Sequence, residues 1–310
     1  YFGTEGEPVL NSDGGIHRFT RAFDARGNVI EVRYFGTESE PVLRSDQGYH
    51  WRARAFDDRG NVIEWRYFGT EGEPVLRSDG GIHRVTQTFD ARGNNVEQRY
   101  FGTEGEPALL SDIGIHRVTH AFDARGNEIE WRYFGTEGEP VLRSDRGIHR
   151  LTQTFDARGN EIEERYFGTE GEPVLRSDWG IHLIALAYND RGNNIEERYF
   201  GTEGEPVLNS DGGYHRIAQT FDARGNVIDV RYYGTGREPV LRSDQGYHRR
   251  ARAFDDRGNV IEWRYFGTEG EPVLRSDRGI HRVTQTFDAR GKNVEQRYFG
   301  TEGEPALLSD

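Results

Sequence analysis

With 310 residues, 34% of them apolar and 30% charged, the chain has little material for a core of ordinary globular depth, and aromatic residues at 12% supply much of what there is. The formal net charge of −13 comes from 53 acidic and 40 basic residues mixed along the whole length, which argues against a nucleic-acid face built on a basic stripe. Cys is absent, which excludes disulfides, thiolate metal sites and haem held through paired cysteines; no apolar run is long enough to span a membrane, and no signal-peptide pattern falls within these residues.

The organising feature is a period of 33 residues. Copies open at Tyr1, Tyr34, Tyr67, Tyr100, Tyr133, Tyr166, Tyr199, Tyr232 and Tyr265, and a partial tenth runs from Tyr298 to Asp310. A period of this length makes each copy one supersecondary unit that buries its apolar face on the next. A lone copy could not offset its own conformational entropy. The expectation is a single repeat array over 1–310. Because the stretch opens at a repeat boundary, stops inside a copy and has neither Met nor a polar capping unit, it reads as a segment of a longer protein or filament.

The copy from Tyr100 to Arg132 gives the elements in chain order. Gly102-Thr103-Glu104-Gly105 is a turn ending on Gly, followed by a short run from Pro107 to Leu109, where Pro spares a ladder donor. Ser111-Asp112-Ile113-Gly114 is a second turn. Ile115 to Asp123 and Asn127 to Gly135 are rich in β-branched and aromatic residues, lack Pro and show no 3.6-residue period, so both read as strands. The Asp123-Ala124-Arg125-Gly126-Asn127 link between them has Asp to bond the backbone ahead and Gly to take positive φ, the pattern of a type I turn with a G1 bulge. In the fifth copy the corresponding turn glycines are Gly138, Gly147 and Gly159. The fold class is therefore all-β: tandem 33-residue β-hairpin repeats stacked into an elongated solenoid or superhelical rod.

Three full reversals per copy would point successive copies in opposite directions and double the period to 66 residues, which the sequence does not show. One turn, the Ser-Asp-x-Gly one, is thus expected to be a corner. A longer period of 198 residues, which relates Gln47-Gly48-Tyr49 to Gln245-Gly246-Tyr247, reads as block duplication. The large apolar residues kept in nearly every copy are those at Tyr1, Phe2, Ile16, Phe23 and Ile30. In the fifth copy they become Tyr133, Phe134, Ile148, Phe155 and Ile162, the expected buried rows.

Each complete copy holds one histidine of the series His17, His50, His83, His116, His149, His182, His215, His248 and His281. A metal needs several donors about 2 Å from one ion, whereas three strands per copy would hold these rows roughly 14 Å apart; a structural role is expected, with no metal and no cofactor. Glu163 and Arg165 point to one face of a strand, as do Glu31 and Arg33. Rows of like charge are avoided if each Arg adjoins a carboxylate, so an Arg–carboxylate ladder is expected. Neither a calcium nonapeptide, nor a phosphate loop, nor a nucleophile elbow occurs, and no catalytic residue is assigned. Positions 14 and 32 of the copy vary freely, which suggests exposure. Trp51, Trp65, Trp131, Trp179 and Trp263 are candidate exposed contacts.

Phe-Asp-Ala-Arg-Gly-Asn-Val-Ile-Glu followed by Arg-Tyr-Phe, at Phe23 to Phe35, resembles the YD repeats of bacterial RHS-type proteins. The Tyr-Phe-x-x-x-Gly-x-Pro-Val stretch at Tyr67 to Val75 is similar to the hairpin repeats of bacterial surface proteins, including WG and choline-binding types. The resemblance covers all complete copies and implies a large, exported bacterial β-hairpin array. The expected function is structural, a segment of an extracellular or surface fibre that assembles with itself end to end or laterally. The alternative is a binding module holding a glycan or partner protein through exposed aromatics.

Overall fold

The computed structural model describes residues 1, 7–12 and 14–306. Phe2 of the expected core rows and the end of the tenth copy lie outside the described residues. The chain forms two compact units, 1–152 with 168–172 and 153–167 with 173–310. Both are built from the same all-β repeat, and among the described residues there are eighteen strands and no helix.

Each copy contributes two long strands. In the fourth these are Arg117–Phe122 and Glu128–Phe134, antiparallel, with Val118 opposite Tyr133 and Thr119 opposite Arg132. The turn between them closes as its residue types dictate: Asp123 Oδ1 accepts the N–H groups of Arg125 at 2.8 Å and Asn127 at 2.9 Å, and Gly126 sits at φ 90°. A β-bulge follows. Ala121 faces Glu130 while Phe122 faces Glu128, which leaves Ile129 as the extra residue.

The next copy adds its first strand, Arg150–Phe155, antiparallel to Glu128–Phe134, with Trp131 opposite Leu151. With two long strands per copy, every copy within a unit runs in the same direction. The Ser-Asp-x-Gly turn is not the expected corner. It is a closed loop, with Arg143 N–H on the Ile148 carbonyl and Gly147 N–H on the Arg143 carbonyl, both at 2.7 Å. The excursion leaves and returns at one residue: Val141 donates to the Tyr133 carbonyl at 3.2 Å, and Tyr133 donates to the His149 carbonyl at 3.0 Å. It therefore leaves the net direction unchanged, which reconciles three turns with one repeat per step.

Two further ladders tie copy to copy. Ser111 N–H donates to the Gly80 carbonyl and Ser144 N–H to the Ile113 carbonyl, each at 3.0 Å. Position 14 of the copy is thus used through its main chain, which is why Gly, Gln, Ile, Arg and Trp are all accepted there. At the hairpin tips Arg92 Nη1 donates to the Ala124 carbonyl at 2.7 Å, and Arg191 Nη1 to the Ala223 carbonyl at 2.6 Å.

The core lies on one face of the sheet, here called the inner face. Tyr133 is 4% exposed, Ile148 0% and Leu151 5%. Phe134, Phe155 and Ile162 are half-buried. In the first copy Val29 packs against the cluster of Ile16, Val32, Tyr34, Tyr49 and Tyr67, and Ile30 is the bulged residue. Position 19, read as Val85, Val118, Leu151 and Ile184, supplies a buried row that the sequence reading did not single out.

Copies 2 and 8 break the Gly-Thr-Glu-Gly turn rule. Ser39 and Arg237 occupy its last position with φ of 68° and 69°, where other copies have Gly. A side chain in this region costs roughly 1–2 kcal/mol, less a smaller entropic term from the greater freedom of Gly in the unfolded chain. Ser39→Gly and Arg237→Gly are each expected to stabilise by about 0.5–1 kcal/mol in denaturant titrations; a loss of stability would show that the turn is held by the side chain instead.

Candidate functional surfaces of the repeat

Every strand residue faces inward or outward, and the two faces carry different chemistry. On the outer face Glu97 accepts from Arg99 of its own strand at 2.7 Å and from Arg117 of the next copy at 3.2 Å. The bridge is needed because Arg99 and Arg117 stand opposite each other in register, and like charges so placed repel. Glu130 repeats this between Arg132 at 2.8 Å and Arg150 at 3.3 Å. Glu163 and Arg165 lie 2.9 Å apart, but Leu183 stands opposite Arg165, so the pair stays within one strand. Arg117 also lies over the Phe134 ring, 4.0 Å from its centroid.

Next to this ladder runs the histidine row. His149 is buried with its ring edge-on to Phe134, centroids 5.4 Å apart, and its Nδ1 lies 2.7 Å from the Tyr133 carbonyl. A carbonyl only accepts, so Nδ1 carries a proton. Burial pulls His83, His149, His182, His215 and His248 below the ordinary imidazole value. With two long strands per copy, not three, equivalent rings repeat at roughly 9–10 Å. Among the described residues no three His, Asp or Glu side chains are grouped to hold a metal ion.

The inner face is lined by tyrosines. Arg143 donates to the Tyr133 hydroxyl at 3.4 Å and is itself fixed by Asp145 at 2.7 Å; Arg176 repeats this with Tyr166 at 3.1 Å and Asp178 at 2.7 Å. Position 32, expected to be exposed, belongs to this face: Val32 and Val230 are buried, and Trp65, Trp131 and Trp263 are half-buried. The reason is strand parity, since position 32 stands two residues before the buried Tyr34. Trp51 lies on the outer face, stacked on Phe68 with centroids 3.9 Å apart. Trp179 sits at the Ser-Asp-x-Gly turn, its ring 4.3 Å below the Arg176 guanidinium.

In the second unit this face turns acidic. Gln153 donates to Glu164 at 2.9 Å, and the Tyr199 hydroxyl donates to Glu197 at 2.6 Å. Burial, reinforced by Glu164, pushes the Glu161 carboxyl up to about 7, and burial also raises Glu197.

The geometry defines a class: a tandem β-hairpin repeat scaffold in which successive copies within a unit repeat the same main-chain contacts. No protein-family model matches the chain, and no curated protein matches it. Among solved structures it is similar to the crystal structure of TcdB2-TccC3-TEV, at a TM-score of 0.51 and 14% identity over 98% of this chain and 15% of that one. It is likewise similar to the crystal structure of TcdB2-TccC3, at 0.50 and 13% identity over 97% of this chain and 15% of that one. At such identities the likeness establishes shared architecture, and this chain spans about 15% of the length of those it matches.

Proposed function

We propose that the chain is a non-enzymatic structural scaffold, a stretch of repeat wall from a bacterial toxin-like or surface protein that works outside the cell. The observation that carries this reading is the recurrence of one set of inter-copy contacts: the Ser N–H to carbonyl ladder, the tip arginines and the Glu-bridged arginine rows. Side chains are spent on copy-to-copy adhesion, and each unit presents long repeated ladders. The fold shared with TcdB2-TccC3 and the Phe-Asp-Ala-Arg-Gly motif both support a YD-type wall. Such a wall would assemble with further repeats of its own kind.

Electron microscopy of the native particle tests this. The expected result is a continuous repeat wall or fibre with strands about 4.8 Å apart and copies at roughly twice that spacing. A native particle in which these residues form an isolated domain beside unrelated folds, with no further repeats, would overturn it.

A further inference from the structure

Most arginines of this protein are paired with a carboxylate: Arg33 with Glu31, Arg44 with Asp46, Arg99 with Glu97. Arg52 and Arg54 in the second copy and Arg250 and Arg252 in the eighth are among those that are not. Among the described residues none of the four forms an ion pair with a carboxylate, and the Nε atoms of all four are enclosed without a hydrogen-bond partner. Each pair stands two residues apart on a strand, so both guanidinium groups leave the same, inner face. Their cross-strand neighbours are apolar or aromatic. Arg52 lies between Val32 and Tyr67, and Arg54 faces Trp65; Arg250 lies between Val230 and Tyr265, and Arg252 faces Trp263.

Two like charges on a half-buried face oppose folding, since neither desolvation nor mutual repulsion is compensated. Both effects pull Arg54 and Arg252 below the usual guanidinium range, burial first and the neighbouring arginine second. Beside the first pair the surface opens into a pocket of about 510 Å³, in which Arg21 and Arg44 add cationic groups over a floor that includes Val29 and Val32. Arg44 is occupied by Asp46, whereas Arg52 and Arg54 line the hollow with no carboxylate paired to them, their Nε atoms enclosed behind it. Guanidinium groups present planar forked donors that match oxyanions bidentately. Apolar and aromatic walls around a few convergent charges are the usual make-up of a small-molecule site.

We propose that Arg52 with Arg54, and Arg250 with Arg252, form two binding sites for a dianionic oxyanion head, phosphate or dicarboxylate, carried on a flat apolar body. The sites go beyond the scaffold role and do not depend on it. They give the inner face a ligand chemistry that copies 3 to 7 and 9, with Val, Leu or Ile at position 19 and Gln, His or Leu at position 21, do not share; the first copy has Phe19 and Arg21 there.

Isothermal titration of the 310-residue chain with phenyl phosphate, phthalate and inorganic phosphate, at fixed ionic strength, tests the assignment. The expected result is saturable binding of phenyl phosphate or phthalate at two sites per chain, tighter than inorganic phosphate; which of the two binds better separates a phosphate from a dicarboxylate head. Arg52→Gln with Arg54→Gln should halve the stoichiometry. The fourfold variant that adds Arg250→Gln and Arg252→Gln should weaken binding at least ~100-fold, as expected for two lost charge-assisted bonds per site. Its circular dichroism and melting temperature in the absence of ligand report that it folds, and Arg33→Gln serves as a charge control that leaves binding intact. Full stoichiometry in the fourfold variant, equal loss in Arg33→Gln, no preference over inorganic phosphate, or no saturable binding to the wild type would each overturn the proposal.

Discussion

Ile148→Ala is expected to destabilise its unit by about 2–5 kcal/mol, the range for an isoleucine or leucine truncated in a tightly packed core. Ile148 is fully enclosed, and its carbonyl is held by the Arg143 N–H at 2.7 Å, so the backbone cannot shift to fill the void. Leu142, a few residues away on the same excursion, is 49% exposed, and Leu142→Ala should change stability by less than about 0.5 kcal/mol, as for other exposed sites. Repeat arrays need not unfold in one step, so the comparison is best made by native-state hydrogen exchange at the Tyr133 and His149 amides as well as by denaturant titration. Equal losses in the two variants would mean that the inner face is not the core.

The fold class was legible because its signals are local. Asp123 and Gly126 determine a hairpin turn by their own side-chain and backbone chemistry, and the period repeats that determination along the chain. The inner face was less legible. Strand parity is readable only if the strand is regular, and the bulge at Ile129 inserts a residue between Phe122 and Ala121 pairing, so alternation counted from Tyr133 fails beyond it. Position 19 escaped notice because Phe19, Arg52 and Arg250 interrupt its Val, Leu and Ile, which hides a buried row from a search for constant residues. Position 32 misled for the converse reason: it varies because its neighbours across the strands vary with it, Gln87 donating to Gln98 at 2.9 Å and Gln153 to Glu164 at 2.9 Å. The unpaired arginines were hidden by context, since in a chain with 40 basic residues an Arg on a strand reads as one more rung of a ladder.

Acidification from pH 7.5 to 5 should lower the melting temperature steeply, well before any carboxylate of the hairpin turns is protonated. His83, His149, His182, His215 and His248 are depressed below their ordinary value of 6.5, chiefly by burial. Beside His149 the charges of Arg132 and Arg150 act in the same direction. Between the folded and unfolded values the unfolded chain binds more protons, so stability falls as pH falls; this contribution is complete above about 6.5 and is lost on going down through the folded value. A protonated ring keeps its Nδ1–H bond to the Tyr133 carbonyl, but its charge is left in a buried site edge-on to Phe134. The turn carboxylates behave differently. Asp24, Asp57, Asp90, Asp123, Asp156, Asp222 and Asp255 are held below 3.8, in Asp123 first by the Asn127 side chain, so their loss begins only in stronger acid. Glu161 opposes the histidines: raised to about 7, it favours the folded state at low pH and disfavours it as pH rises through that value. Glu161→Gln should therefore steepen the acid loss between pH 7 and 5, while His149→Asn should flatten it. Melting temperatures that stay level or rise over this interval in the wild-type protein would show that the histidine row is solvated and charged, contrary to the buried neutral arrangement.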